Sequence, residues 1–251
     1  MLGHQETKEN DLRVAFLAAA EYMTRIRIED ATRTQDLMRI EQALGTPMNL
    51  TALGRLMAKL QIVMTGGPRP FALEGLAQRF LTNVSDGVNF APGELGLAST
   101  NVEVTYPSMT GTDGATADLN SMVRRIPADP VLRGAGTPYA ELRPFDGNLT
   151  RPLLTLAGTG DLQTPVSQQQ ALKRSVMAAD RKDLLVQRLI RSAGHCNFSL
   201  REQSRAFDDL VRWVRDGKRP AGDDVLGDLR NAGLKFTDPL RAGDPGSLAT
   251  Q

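Results

Sequence analysis

A single cysteine, Cys196, in a chain of 251 residues leaves no partner for an internal disulfide and no set of thiolates for a zinc site. Histidine is almost as scarce. His4 and His195 are the whole supply, which excludes a multi-histidine metal centre. An excess of one charge is missing too: Lys and Arg number 30 against 29 Asp and Glu, so no overall field draws the chain to nucleic acid or to an anionic membrane. Arg124-Arg125 and the basic residues scattered through 173–191 are too dispersed, and too balanced by acids, for a nucleic-acid site. Long apolar runs are absent as well, the stretch Val14 to Ala20 falling far short of the roughly 20 residues of a membrane span. The first ten residues, MLGHQETKEN, lack the basic and apolar regions of a secretory signal. What the chain does have is 41% hydrophobic residues, ample for a packed core.

Those residues are patterned in two ways. In the first hundred positions the apolar spacing is helical. Leu12, Ala15, Phe16, Ala19, Tyr22, Met23 and Ile26 share one face of a helix that Asn10 or Asp11 would cap. Further helices are expected near 35–44, stopped by Gly45, near 50–64, stopped by Gly66-Gly67-Pro68, and near 71–81. The region 83–150 is richer in Gly, Pro, Asp, Asn and Thr. Within it, alternation of Val102, Val104 and Tyr106 with polar neighbours predicts a short strand, and 118–126 a helix. The segments 134–138 and 144–148 read as loops. No internal repeat is visible.

After Arg151 the pattern changes. Leu153-Leu154-Thr155-Leu156 is a short apolar strand ending in Gly158-Thr159-Gly160-Asp161. Thr164 and Pro165 suit the start of a helix over 166–179, with Leu172, Val176 and Ala179 turned inward. A second strand over 184–190 leads into Ser192-Ala193-Gly194-His195-Cys196-Asn197. A last helix opens at the capping box Ser199-x-x-Glu202, with Phe207, Leu210, Val211 and Val214 as its buried stripe. The residues from Lys218 onward read as a loosely packed tail. Two strands joined through a helix form a parallel βαβ unit with a right-handed crossover. Two parallel strands are too few for a complete sheet, which is normally covered on both faces.

Chemistry is expected where the strands end. Asp161 follows the first strand and His195 the second, so both belong to one sheet rim. A carboxylate that accepts from one imidazole nitrogen fixes the tautomer and supports the imidazolium, the base half of a catalytic triad. A turn aspartate and a solvated loop histidine are the plain alternatives. Cys196 invites a Cys-His reading, but neighbouring residues seldom aim at each other in the needed geometry, and a small buried thiol is the simpler expectation. Gly158-Thr159-Gly160 has Gln163 where a dinucleotide fingerprint needs its third glycine.

Arg151-Pro152-Leu153-Leu154-Thr155-Leu156, Gly160-Asp161, Pro165, Gly194-His195 and the helix bearing Trp213 together resemble the C-terminal part of the α/β-hydrolase family, over residues 145–220. Tyr106-Pro107, Leu119-Asn120 and Ala128-Asp129-Pro130 are similar to secreted bacterial peptidase- or esterase-type members. The resemblance implies an α/β fold and a serine hydrolase cleaving ester, amide or peptide bonds of a small molecule or peptide, with Asp161 and His195 catalytic and no metal or organic cofactor. The family order is Ser, Asp, His, yet Gly-x-Ser-x-Gly occurs nowhere, and Ser85, Ser99, Ser108, Ser121 and Ser247 lack its flanking glycines. Residues 1–140 are therefore expected to form a helical cap, 141–220 the end of the hydrolase core and 221–251 the loose tail. The nucleophile would then be expected in sequence before Met1. The alternative is a non-catalytic helical binding module derived from a hydrolase, whose uncovered sheet edge would allow self-association.

Overall fold

A computed structural model describes residues 2–90, 99–110, 116–133 and 145–239. The expected loop 134–138, Pro144, Ser247 and the end of the tail lie outside the described residues. The chain divides into two compact units, one of Met1–Met64 with Arg79–Pro144 and one of Thr65–Gln78 with Phe145–Gln251. Among the described residues no helix is long and apolar enough to cross a membrane.

The first unit is mainly helical. It holds α1 (Leu2–Thr24), a 3-10 turn at Asp30–Thr32, α2 (Arg33–Leu44), a small hairpin of β1 (Gly45–Thr46) and β2 (Asn49–Leu50), and α3 (Ala52–Met64). The greater part of α4 (Ala72–Phe90), a second small hairpin of β3 (Met109–Thr110) and β4 (Thr116–Ala117), α5 (Leu119–Met122) and α6 (Pro130–Arg133) complete it. Helix α1 begins already at Leu2, so Asp11 is no cap; its Oδ1 instead accepts from the Thr100 amide at 2.7 Å. Every residue from Val14 to Ala20 is buried, not one face alone. Its alanines let other elements approach closely, and Gly87 of α4 sits where a Cβ would stand 2.3 Å from the Arg13 carbonyl.

The strand expected over Val102–Tyr106 does not form; a turn at 102–103 and irregular chain take its place. Side-chain amides replace the ladder. Asn120 Oδ1 accepts from the Tyr106 amide and its Nδ2 donates to the Tyr106 carbonyl, each at 2.8 Å, as a neighbouring strand would. Buried Asn101 likewise binds the Arg124 carbonyl and the Ile126 amide, which holds 123–126 extended and ends the expected helix at Met122. Tyr106 packs inside with its hydroxyl donating to the Ala15 carbonyl, and burial pushes that phenol up to about 12.

The second unit is the α/β part. Strands β5 (Leu153–Gly158) and β6 (Leu185–Ile190) pair in parallel from Leu153 opposite Leu185 to Gly158 opposite Ile190. Helix α7 (Val166–Ala178) joins them and α8 (Leu200–Asp216) follows. Alternation along the strands separates two faces. One carries Leu153, Ala157, Leu185 and Leu189, packed with Val166, Leu172 and Val176 of α7. The other carries Arg188, whose Nη2 meets Asp209 of α8 at 2.5 Å. Among the described residues the parallel sheet is two strands wide, so the unit is of α/β class and does not show the full sheet of a hydrolase.

Residues 219–237 are not a loose tail. Val225, Leu229 and Ala232 are buried with Leu189, and Asp223 runs along the outer edge of β6. Its amide donates to the Gln187 carbonyl and its carboxylate accepts from the Leu189 amide, both at 2.7 Å. All six β6 residues are consequently buried, whereas Leu153–Leu156 of β5 are half-exposed, and among the described residues β5 pairs with β6 alone.

Helix α8 corrects a second expectation. Its capping box forms as the sequence predicts, Ser199 Oγ accepting from the Glu202 amide and Glu202 from the Ser199 amide. The buried side is Glu202, Ala206 and Trp213, while Leu200, Phe207 and Val214 are 80, 66 and 62% exposed. The Arg188–Asp209 pair sets this rotation, since it requires Asp209, and not Phe207 or Val211, to face β6. In the folded protein Arg188 and Arg212 hold Asp209 below the usual carboxylate value, against the opposing effect of its burial.

Two outcomes follow for chemical denaturation. Leu189→Ala costs about 2–5 kcal/mol as a buried truncation, whereas Phe207→Ser and Val214→Ser stay within about 0.5 kcal/mol. Losses of 2 kcal/mol or more in the α8 variants would show that the stripe is covered. The second concerns pH. A carboxylate whose folded pKa is depressed stabilises the protein above its unfolded value of roughly 4 and loses that contribution as pH falls through the folded value. The stability difference between the parent and Asp209→Asn is therefore full at pH 7 and closes below about pH 4; a pH-independent difference would contradict the pairing.

Candidate active site

The rim begins with the chain leaving β5. The Thr159 amide donates to the Ile190 carbonyl and the Gly160 amide to the Ser192 carbonyl, each at 2.8 Å, so the exit of β5 is pinned to the exit of β6. Glycine is required at 160: a Cβ there would stand 2.4 Å from the Phe71 carbonyl and 2.8 Å from the Ser192 carbonyl. The turn delivers Asp161 to a site where it is 3% exposed.

Asp161 is saturated with donors. Its Oδ1 accepts from the amides of Gln163 and Thr164 at 2.8 and 2.9 Å. Its Oδ2 accepts from Thr164 Oγ1 at 2.6 Å and lies 2.8 Å from His195 Nδ1. The carboxylate thus shapes its own turn and holds the histidine at once. Thr164 does not cap α7 as expected; Pro165 stands at that position without a side-chain bond, and the Thr164 hydroxyl donates to Asp161 and lies 3.3 Å from His195 Nδ1.

His195 leaves the loop after β6 with its side chain 38% exposed. Facing an acceptor-only carboxylate, Nδ1 carries the ring proton, and this assignment leaves Nε2 with a free lone pair. The two residues expected at the rim therefore meet in the geometry that orients an imidazole base. Among the described residues no serine oxygen lies within hydrogen-bond distance of His195.

Cys196 differs from the buried thiol anticipated above. It is exposed, adopts φ of +52°, and holds Sγ 3.5 Å from Nε2 of His195. The left-handed backbone at Cys196 is what lets adjacent side chains converge, a conformation that the sequence does not announce. Arg69 is the residue that sequence reasoning missed. It is 8% exposed, and its Nε donates to the Thr159 carbonyl at 2.5 Å. Set between two prolines after a glycine pair, it looked like part of a helix stop. No group of three His, Cys, Asp or Glu that could hold a metal ion is present among the described residues.

No protein-family model matches the chain, and no solved structure matches it. Over 116 residues it is 28% identical to an o-phthalyl amidase of Xanthobacter agilis. The match covers 43% of this chain and 25% of the amidase, so the chain reaches only about a quarter of that relative's length. The likeness is distant, and it is to a hydrolase.

With Nε2 free to accept the thiol proton, His195 accelerates alkylation of Cys196 by iodoacetamide near neutral pH. His195→Ala slows that reaction several-fold while the folded far-UV spectrum is unchanged. Equal rates in the two proteins would show that the ring and the thiol do not communicate.

Proposed function

We propose that Asp161 and His195 are the acid and base of an α/β-hydrolase-type serine hydrolase acting on amide or ester bonds. The observation that carries the reading is the 2.8 Å contact between His195 Nδ1 and a buried, donor-saturated carboxylate at the rim of a parallel sheet. The relation to an amidase supports a hydrolase and makes an amide the first bond to try. His195 Nε2 takes the proton of the attacking serine and returns it to the leaving amine, while Asp161 keeps the ring in register and stabilises its charge. The serine and the oxyanion donors come from sequence outside this chain, which has no Gly-x-Ser-x-Gly elbow.

The exposed stripe of α8 and the edge of β5, which among the described residues has no partner, favour a second reading, a non-catalytic module that binds another protein or a second copy of itself.

A fluorophosphonate probe separates the two. The polypeptide translated from the longest open frame containing this chain is labelled, and it hydrolyses a phthalyl amide. His195→Ala lowers both by at least about 100-fold, the usual worth of a general base. A polypeptide that stays unlabelled, or labels equally after His195→Ala, would sink the hydrolase assignment and leave the binding module.

A further inference from the structure

The buried guanidinium of Arg69 has no part in the hydrolytic roles above, yet it sits against the turn on which they depend. Its Nε donates to the Thr159 carbonyl at 2.5 Å, its Nη1 to the Gly67 carbonyl at 2.8 Å and its Nη2 to Thr65 Oγ1 at 3.3 Å. Thr159 precedes Asp161 in the turn after β5, and its amide is tied to Ile190 at the end of β6. One side chain thus links the 65–71 loop to the peptide that joins both strand ends.

Backbone contacts in the same stretch show that the link is close. A Cβ on Gly75, in the first turn of α4, would stand 1.7 Å from the Gly160 carbonyl and 3.1 Å from the Ala193 carbonyl. The segment 65–78 is pressed directly against both rim loops, and Arg69 is its one cationic residue. Charge adds a second effect. A buried cation is costly without a compensating anion. Asp161 supplies that anion; burial pushes the Arg69 guanidinium down to about 10, and the Asp161 charge opposes the push. Among the described residues Asp161 bonds to Gln163, Thr164 and His195, so Arg69 does not compete with the histidine for Oδ2.

We infer that Arg69 is a positioning residue for the Asp161–His195 pair, fixing the Thr159–Asp161 turn through the Thr159 carbonyl and balancing the carboxylate from inside the unit. Its use in catalysis rests on the hydrolase reading; the positioning itself is a property of the folded chain and is measured without turnover.

The readout is the downfield NMR resonance of the proton between His195 Nδ1 and Asp161, recorded on the full chain alongside thermal unfolding. Arg69→Ala loses both the fork of donors and the charge, and Arg69→Lys keeps the charge alone. The resonance is expected to vanish in Arg69→Ala at temperatures where that variant is folded, and to return on adding methylguanidinium. In Arg69→Lys it persists but broadens. A resonance unchanged in folded Arg69→Ala, or one that methylguanidinium does not restore, overturns the inference. If Arg69→Ala does not fold, Arg69→Lys decides, and an unaltered resonance in it is the contrary result. Absent fluorophosphonate labelling with an intact, Arg69-dependent resonance would fail the hydrolase reading while this inference stands.

Discussion

Parallel pairing of β5 and β6 in level register, Gly158 opposite Ile190, is the constraint from which the rest of the second unit follows. Because both strands run the same way and end together, the chain must leave them on one rim, and the first polar residues beyond the ends become neighbours. Thr159 and Gly160 then donate across the gap to Ile190 and Ser192, which fixes the spacing of the two exits before any side chain is considered. The Asp161–His195 contact is the consequence. A shift of register by one residue would reverse which strand positions face α7 and α8, and would pull the two side chains out of reach.

The extent to which this was legible in the sequence differs by element. Both strands and α7 showed as apolar runs bounded by Gly, Pro and Thr, and the rim pair followed from their order. The capping box at Ser199 was equally plain, because a helix start is written in local residue types. Rotation of α8 was not. An apolar stripe tells which side of a helix prefers cover, but the Arg188–Asp209 pair, formed between residues 21 positions apart, turned a different side to the sheet. The strand at 102–106 failed for a similar reason. Alternation predicted it, but Asn120 supplied the hydrogen bonds that a partner strand would have given. Cys196 was misjudged because its proximity to His195 depends on a positive φ, and Arg69 because the carbonyl that ties it to the rim, that of Thr159, lies 90 positions away in sequence.

Among the described residues, nothing pairs with the outer edge of β5 and the Leu200–Val214 stripe of α8 is exposed. Each is ordinarily buried in a parallel α/β protein, the edge by another strand and the stripe by a further layer. On the reading proposed above, their coexistence with the rim pair is what a unit holding a base and its orienting acid, but not the nucleophile, would present.

The tautomer of His195 is the most direct measure of the account, because every role given to the ring requires the proton on Nδ1. Nitrogen-15 NMR of the imidazole, at a pH where the ring is neutral, should show Nδ1 protonated and coupled to Asp161, with Nε2 bare and accepting. A ring protonated on Nε2 would contradict it: the carboxylate would then face a lone pair, and His195 would offer a donor where a base is needed.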